Sequence, residues 1–533
     1  MNTDLPGVVV TGASGFVGRH VLSALAGRYR LFCLARRSRR EAGVPDLPDL
    51  RWTQVDLAVW DTVREVVNCV KDHGGASAVI HLAGYYDFHN MEHPEYERTN
   101  VGGTVNALKL ASQLGVDRFI FASSLAACEF PEGDAVLTED SPCDAAFAYA
   151  RSKRRGEELV QEYADRFPVA IVRMAAMFSD WCEYPPLYVF LKTWLSDDWN
   201  ARILGGRGDS AVPYLHVTDL VRLFEKVVTD SADLPRSVVL NASPNHCTSH
   251  RELYEAATHA FFADSVPPYC MPKGLAVLGV WARWWLGKLL RRQPFEAPWM
   301  LHYVDKQLRV DATRTHQLLD WRPTPRLDAS RRLLSMIENM KTHRAVWHQR
   351  NLAALQRVAS RPNLRISLVL EDVREDLVTH LADVVSDPAN AGRFCNYADM
   401  ERSVLEAFIR LLLQVVVTAV RTGDRQLLRH FAHVMAQRRR DEGFESTQVQ
   451  YFLGMVGRIM AETLALDQRL DGLDQAIHDH VTLGFNLAVD AVEDVYDVLE
   501  LPETGLPQDE RLTLPGSAAE LERLVRELED VCE

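Results

Sequence analysis

Tyr149 and Lys153 stand four residues apart, so on a helix they share one face. A phenol with its ordinary pKa near 10 is a poor acid or base at neutral pH, and an ammonium beside it stabilises the phenolate. The pair therefore suits general acid–base chemistry. Alone, such spacing more often marks an ordinary helix surface. A second group lies near the start of the chain. Val8-Val9-Val10 runs into Thr11-Gly12-Ala13-Ser14-Gly15-Phe16-Val17-Gly18. Glycines at these places permit a tight turn and let backbone amides approach a pyrophosphate at a helix N-terminus. Gly12, Ser14, Gly15, Phe16, Val17 and Gly18 are thus candidate cofactor contacts. The spacing is GxxGxxG rather than GxGxxG, and its place directly after an apolar strand strengthens it.

The elements that must position these residues follow from length and pattern. With 533 residues, two or more domains are expected. Apolar residues make up 47% and charged residues 25%, which excludes wholesale disorder, collagen and coiled-coil rods. A net charge of −14 argues against a general nucleic-acid binder, which needs clustered Lys and Arg. None of the nine cysteines has CxxC spacing, so reduced thiols, a cytoplasmic location and no metal site are expected. The N-terminus lacks a signal-peptide pattern. Since no uncharged apolar run reaches about 18 residues, a spanning helix is not expected.

Short apolar runs such as Leu31–Leu34, Ala78–Ile80, Phe119–Ala122 and Val169–Val172 alternate with helix-like stretches up to about Ala242. That pattern predicts an α/β fold, a Rossmann-type doubly wound parallel sheet with a small substrate subdomain. The segment from Pro244 to Ile337 is irregular and Trp-rich. After about Lys341 only helical periods remain, predicting an all-α bundle. Predicted domains are 1–338, an all-helical regulatory or oligomerisation domain over 345–500, and 501–533 as linker plus amphipathic helix with Leu521, Leu524, Val525, Leu528 and Val531 on one face.

Further motifs follow in order: Asp56-Leu57, His81-Leu82-Ala83-Gly84, Asn100, Ser123-Ser124, and Tyr149 to Lys153. Together they resemble the extended short-chain dehydrogenase/reductase family, the nucleotide-sugar epimerases and 3β-hydroxysteroid dehydrogenases, over about residues 6–335. The resemblance implies an NAD(P)-dependent oxidoreductase in which Lys153 also bonds the nicotinamide ribose and Ser124 holds the substrate oxygen. Tyr149 would transfer the proton as hydride moves, and Asn100 would brace the central helix and a relay water. It also implies cofactor contacts at Asp56, Leu57, Leu82, Ala83, Gly84, Tyr149 and Lys153. An acid about 20 residues past the glycine turn would favour NAD. Arg36 and Arg37 stand there instead and can fork onto a 2′-phosphate, so NADP is expected, with NAD as the alternative.

Departures from the family narrow the substrate. Leu125-Ala126 replace the acidic pair of the 4,6-dehydratases, and Val212 stands where nucleotide-sugar enzymes usually place an Arg before His216-Val217-Thr218-Asp219. Arg207 is the candidate substitute for that Arg. Arg173-Met174 replaces the family's Arg-Pro, and Ser179 its nearby Gly. The stretch 272–298 carries Trp281, Trp284 and Trp285 among many leucines and resembles the apolar insert of the 3β-hydroxysteroid dehydrogenase branch. It implies a sterol- or lipid-like alcohol or ketone and peripheral membrane contact through 274–292. The region 420–444 resembles the globin-like N-terminal domain of stressosome co-antagonists, implying a regulatory module without haem; a generic bundle for homo-oligomerisation is the alternative. The leading expectation is an oxidoreductase on a small apolar molecule. The alternatives are a nucleotide-sugar epimerase or reductase and an NADP(H)-sensing regulator.

Overall fold

The computed structural model describes residues 5–88, 90–289, 295–359 and 361–497. The expected C-terminal helix over 501–533 lies outside the described residues, as do Arg291 and Arg292. By residue contacts the chain divides into two compact units. One comprises Met1–Ala35, Ala42–Arg51 and Leu57–Ser360, and the other Arg36–Glu41, Trp52–Asp56 and Arg361–Glu533.

The chain up to Met174 alternates strands and helices: β1 (Gly7–Thr11), α1 (Phe16–Leu25), β2 (Arg30–Ala35), β3 (Leu50–Gln54), α2 (Trp60–Asp72), β4 (Ala78–His81), α3 (Gly103–Leu114), β5 (Arg118–Ser124), α4 (Ala148–Glu162) and β6 (Val169–Met174). Then come β7 (Ala176–Phe178), α5 (Pro185–Trp194), β8 (Ile203–Gly205), β9 (Ala211–Val212), β10 (Tyr214–His216), α6 (Val217–Thr229) and β11 (Ser237–Ala242). The seven-stranded sheet has the order β11-β6-β5-β4-β1-β2-β3, and each pairing from β2 through to β11 is parallel. Val8, Val9 and Val10 are wholly buried, as helices on both faces of a parallel sheet require. The chain order reverses between β1 and β4. Such a switch point opens a crevice beyond the strands' carboxyl ends, where ligands bind in open α/β sheets.

The irregular region resolves into β12 (Thr248–Ser249), α7 (His250–Phe262), β13 (Tyr269–Met271), α8 (Lys273–Leu289), α9 (Thr313–Leu318), α10 (Ala329–Thr342) and α11 (Arg344–Ala359). A second apolar core gathers Tyr188, Leu191, Trp194, Leu253, Tyr254, Leu333, Met336 and Trp347 from α5, α7, α10 and α11. Asn351 on α11 is fully buried there: its Nδ2 donates to the Trp181 and Trp347 carbonyls, and its Oδ1 accepts from Glu183 N, each at 2.8 Å.

The second unit is helical, comprising α12 (Pro362–Asp372), α13 (Arg374–Ser386), α14 (Cys395–Ala398), α15 (Arg402–Thr422), α16 (Arg425–Asp441), α17 (Ser446–Leu466), α18 (Asp474–Ile477) and α19 (Leu483–Tyr496). Helix α15 is long and apolar enough to cross a membrane by length and composition. A count of uncharged runs passes over it because Glu406 and Arg410 interrupt it. Leu405, Phe408, Ile409, Leu412 and Val416 from α15 lie in the core of this unit with Phe431, Phe452 and Phe485.

Candidate active site

The site forms at the carboxyl ends of β1, β4 and β5 and the start of α4. Gly12 has φ of +66°, and a Cβ there would meet Ala83 N at 2.7 Å. Only glycine allows the turn after β1 to lie this close to the end of β4. Gly15 is the N-cap of α1 and brings no side-chain cap, so the first amides of that helix are left for a ligand or solvent. At the same end His81 is held from both ring nitrogens, with Nδ1 2.7 Å from Thr11 Oγ1 and Nε2 3.1 Å from Thr104 Oγ1. Burial, reinforced by the Lys153 charge, lowers its pKa to about 3, so the ring is neutral. Ala83 N donates to Thr11 Oγ1 at 3.3 Å and Leu82 N to Thr11 O at 3.3 Å, which fixes the Leu82–Gly84 backbone beside the glycine turn.

Asn100 sits in a π-helical turn, Tyr96–Gly102, that runs directly into α3. Its Oδ1 accepts from Tyr85 N at 2.6 Å, while Nδ2 donates to Tyr85 O at 3.0 Å and Ser152 Oγ at 2.8 Å. One buried amide thus joins the segment after β4 to α4. On α4, Gly156 packs so closely on β5 that a Cβ would meet Phe121 Cζ at 2.5 Å. This approach brings Lys153 to the strand, where Nζ donates to Ala122 O at 2.7 Å. Burial lowers the Lys153 pKa to about 8, partly offset by the Glu157 carboxylate. Tyr149 is half-buried; burial raises its pKa to about 12, and the neighbouring Ser124 hydroxyl opposes the rise. Ser124 Oγ also accepts from Ala126 N at 3.2 Å.

Ser124, Tyr149, Lys153 and Asn100 therefore converge. Gly84 lies between the last two: a Cβ there would be 3.6 Å from Asn100 Oδ1 and 3.6 Å from Lys153 Nζ. Leu57 is buried and its carbonyl accepts from Asn106 Nδ2 at 2.8 Å. Phe16 packs edge-on against His20 at 5.3 Å. Arg36, Arg37 and Asp56 belong to the second unit. There the Arg36 and Arg37 carbonyls accept from Gln54 Nε2 and Trp52 Nε1, each at 3.0 Å, and Asp56 Oδ2 accepts from Arg421 Nε at 2.8 Å. Arg207 is mostly exposed and paired with Asp209 at 3.0 Å.

Residues with no motif of their own complete the site. Glu157 receives the Ser123 hydroxyl and forms a buried pair with Arg173 at 2.8 Å, and Arg173 Nη1 reaches Ser141 O at 2.7 Å. The four-residue spacing of Lys153 and Glu157 was the available signal. Around the Tyr149 ring stands an aromatic wall: Tyr86 at 4.5 Å, Phe147 at 6.4 Å, and Trp299 stacked on Phe147 at 5.7 Å. Trp299 Nε1 donates to Phe88 O at 2.9 Å, and Phe88 meets Phe295 at 5.3 Å. On α8, next in the chain before this segment, Leu278 and Trp285 are 67% and 61% exposed.

Residues 8–242 match the NAD dependent epimerase/dehydratase family. That match spans the glycine turn and the Ser124, Tyr149 and Lys153 cluster. A ceramide reductase of Caulobacter vibrioides is 36% identical over 165 residues, which is 30% of this chain and 44% of that protein. A putative dihydroflavonol 4-reductase of Synechocystis is 30% identical over 154 residues, 28% of this chain and 42% of that protein. A putative UDP-glucose 4-epimerase of Methanocaldococcus jannaschii is 24% identical over 261 residues, 47% of this chain and 81% of that protein. This chain spans less than half the length of the first curated relatives it matches. Among solved structures, a UDP-glucose 4-epimerase of Thermotoga maritima superposes with a TM-score of 0.49 at 16% identity, covering 63% of this chain and 99% of that one.

Proposed function

We propose that the first unit is an NAD(P)-dependent oxidoreductase interconverting an alcohol and a ketone on an apolar, lipid-like molecule. The observation that carries the reading is the aromatic wall of Tyr86, Phe147 and Trp299 beside the Tyr149 phenol. A nucleotide sugar calls for cations on its diphosphate, whereas Arg207 is turned to solvent against Asp209. The relatives named as reductases of ceramide and dihydroflavonol favour the same substrate class, while those named as epimerases keep the sugar reading as the alternative.

The residues fit a dinucleotide. The uncapped α1 N-terminus and the glycine turn would receive the pyrophosphate, with Leu82–Gly84 alongside. When bound, the nicotinamide supplies or accepts the hydride. Tyr149 then gives its phenolic proton to the ketone oxygen, or takes it from the alcohol, while Ser124 orients that oxygen. Lys153 keeps positive charge beside the phenolate, and Asn100 holds α4 against the segment after β4. Arg36 and Arg37 stand in the sequence where an acid would favour NAD, which makes NADP(H) the preferred cofactor.

Helix α8, with Leu275, Leu278, Trp281, Trp285 and Leu286 exposed, is assigned to the surface of a lipid bilayer, from which the substrate enters the aromatic wall. The test sets NADPH consumption with a long-chain ketone against conversion of a UDP-sugar, read by product analysis, each with and without anionic vesicles. Turnover of the long-chain ketone, raised by vesicles, supports the reading. Turnover of the UDP-sugar alone overturns it.

A further inference from the structure

Two loops leave the site, one after Ser124 and one before Tyr149, and they run together. Ala145 N donates to Ala127 O at 3.1 Å, and Glu129 N donates to Asp144 Oδ1 at 2.8 Å. Cys128 lies between the first loop's two contacts and Cys143 adjoins the second's. Both cysteines are free, Cys128 buried and Cys143 partly exposed. The two contacts between the loops flank Cys128 and set it beside Cys143. The neighbouring Cys143 thiol lowers the Cys128 pKa, and the Arg173 guanidinium lowers it further against burial and the Glu157 charge. Two thiols on adjoining loops, one of them opening toward solvent, can be joined by peroxide.

We propose that Cys128 and Cys143 form a reversible oxidation site, joined by hydrogen peroxide in a disulfide that staples the Ser124 loop to the approach to Tyr149. In the first step the Cys128 thiolate attacks one peroxide oxygen. The O–O bond breaks, hydroxide leaves and takes a proton to become water, and Cys128 becomes a sulfenic acid. In the second, Cys143 gives up its proton and its sulfur attacks the Cys128 sulfur, releasing the hydroxyl as a second water. Two thiols are oxidised and one peroxide is reduced to two waters.

A sulfur–sulfur bond of about 2 Å is shorter than any contact between free thiols, so closing it draws the two loops together. Ser124 is four residues before Cys128, and Tyr149 is six after Cys143. Small displacements of a reacting pair lower turnover steeply. The effect on turnover rests on the function proposed above, whereas formation of the bond does not.

The experiment treats the reduced full-length chain with hydrogen peroxide, blocks remaining thiols by alkylation and maps the peptides by mass. The expected product links the Cys128 and Cys143 peptides, is lighter by two hydrogens and reverts with dithiothreitol. Turnover falls by about tenfold or more and recovers on reduction. Cys143→Ser keeps basal turnover and loses both the link and the recoverable inhibition. Sulfinic acid on either residue without a link, pairing with another cysteine, or no link overturns the proposal. A link with unchanged turnover overturns the staple's action on Ser124 and Tyr149. Should the chain turn over no long-chain ketone at all, the function reading fails while the mass readout still decides the disulfide.

Discussion

Lys153 Nζ donates to the carbonyl oxygen of Ala122 at 2.7 Å and stands 5.7 Å from the centre of the Tyr149 ring. The ammonium is thus anchored by backbone beside the phenol. Burial raises the Tyr149 pKa to about 12, against the Ser124 hydroxyl, so the phenol holds its proton at neutral pH.

Tyr149→Phe is expected to retain cofactor binding and lose turnover by at least about 10²-fold, the scale of a missing general acid. Cofactor fluorescence measures the first and NADPH consumption the second. Retained turnover would remove Tyr149 from the chemistry.

The pH dependence has a definite sign. Lys153 releases its proton near pH 8 in the folded chain and near 10.5 when free. Between those values the unfolded chain holds more protons, so stability rises with pH, and the burial penalty is fully present below about 8. Tyr149 acts oppositely: its pKa of about 12 against 10 when free lowers stability as pH climbs through that window. Lys153→Met should therefore gain stability relative to the parent at pH 7, by on the order of 3 kcal/mol at most. The gain should shrink as pH passes from 8 to 10. Urea titrations at both pH values check this. Ketone reduction by the parent should decline above about pH 8 as the Lys153 charge is lost.

Glu157 and Arg173 are a buried pair that also grips Ser123 and the Ser141 carbonyl. Removing one partner leaves an uncompensated buried charge, so Glu157→Gln or Arg173→Met should each cost about 3–5 kcal/mol. The double variant should recover much of that loss. A double-mutant cycle by chemical denaturation measures the coupling.

Nicotinamide fluorescence titrations should show NADPH binding more tightly than NADH, with the gap narrowed by Arg36→Asp. Equal affinities in the parent would contradict the assignment of Arg36 and Arg37 to the 2′-phosphate.

A fragment ending at 360 should melt at a higher temperature than one ending at 341. The shorter fragment lacks Trp347 and the buried Asn351, leaving the Trp181 carbonyl and the Glu183 amide without their partner. Circular dichroism melts of both fragments test it, and equal melting temperatures would show α11 to be dispensable.

Much of the frame was legible in the residues alone. Unbroken apolar runs such as Val8–Val10 and Phe119–Ala122 belong to strands covered on both faces, because nothing polar could face solvent along them. The order of glycine turn, Asn100, Ser124 and Tyr149 to Lys153 carried the resemblance to dinucleotide oxidoreductases, because the ordered set is specific where each element alone is not. Other features depended on partners distant in sequence. The ring nitrogens of His81 are met by Thr11 and Thr104, 70 and 23 residues away. Arg173 reaches Glu157 from another element, and Trp347 and Asn351 attach α11 to the core of α5, α7 and α10. Periodicity records which face of an element is buried, because burial repeats with the turn of the helix or the pleat of the strand. It carries no record of what lies across the interface. Tertiary packing alone decided that Lys153 rests on Ala122, that Asn100 ties Tyr85 to Ser152, and that the loops carrying Cys128 and Cys143 run together.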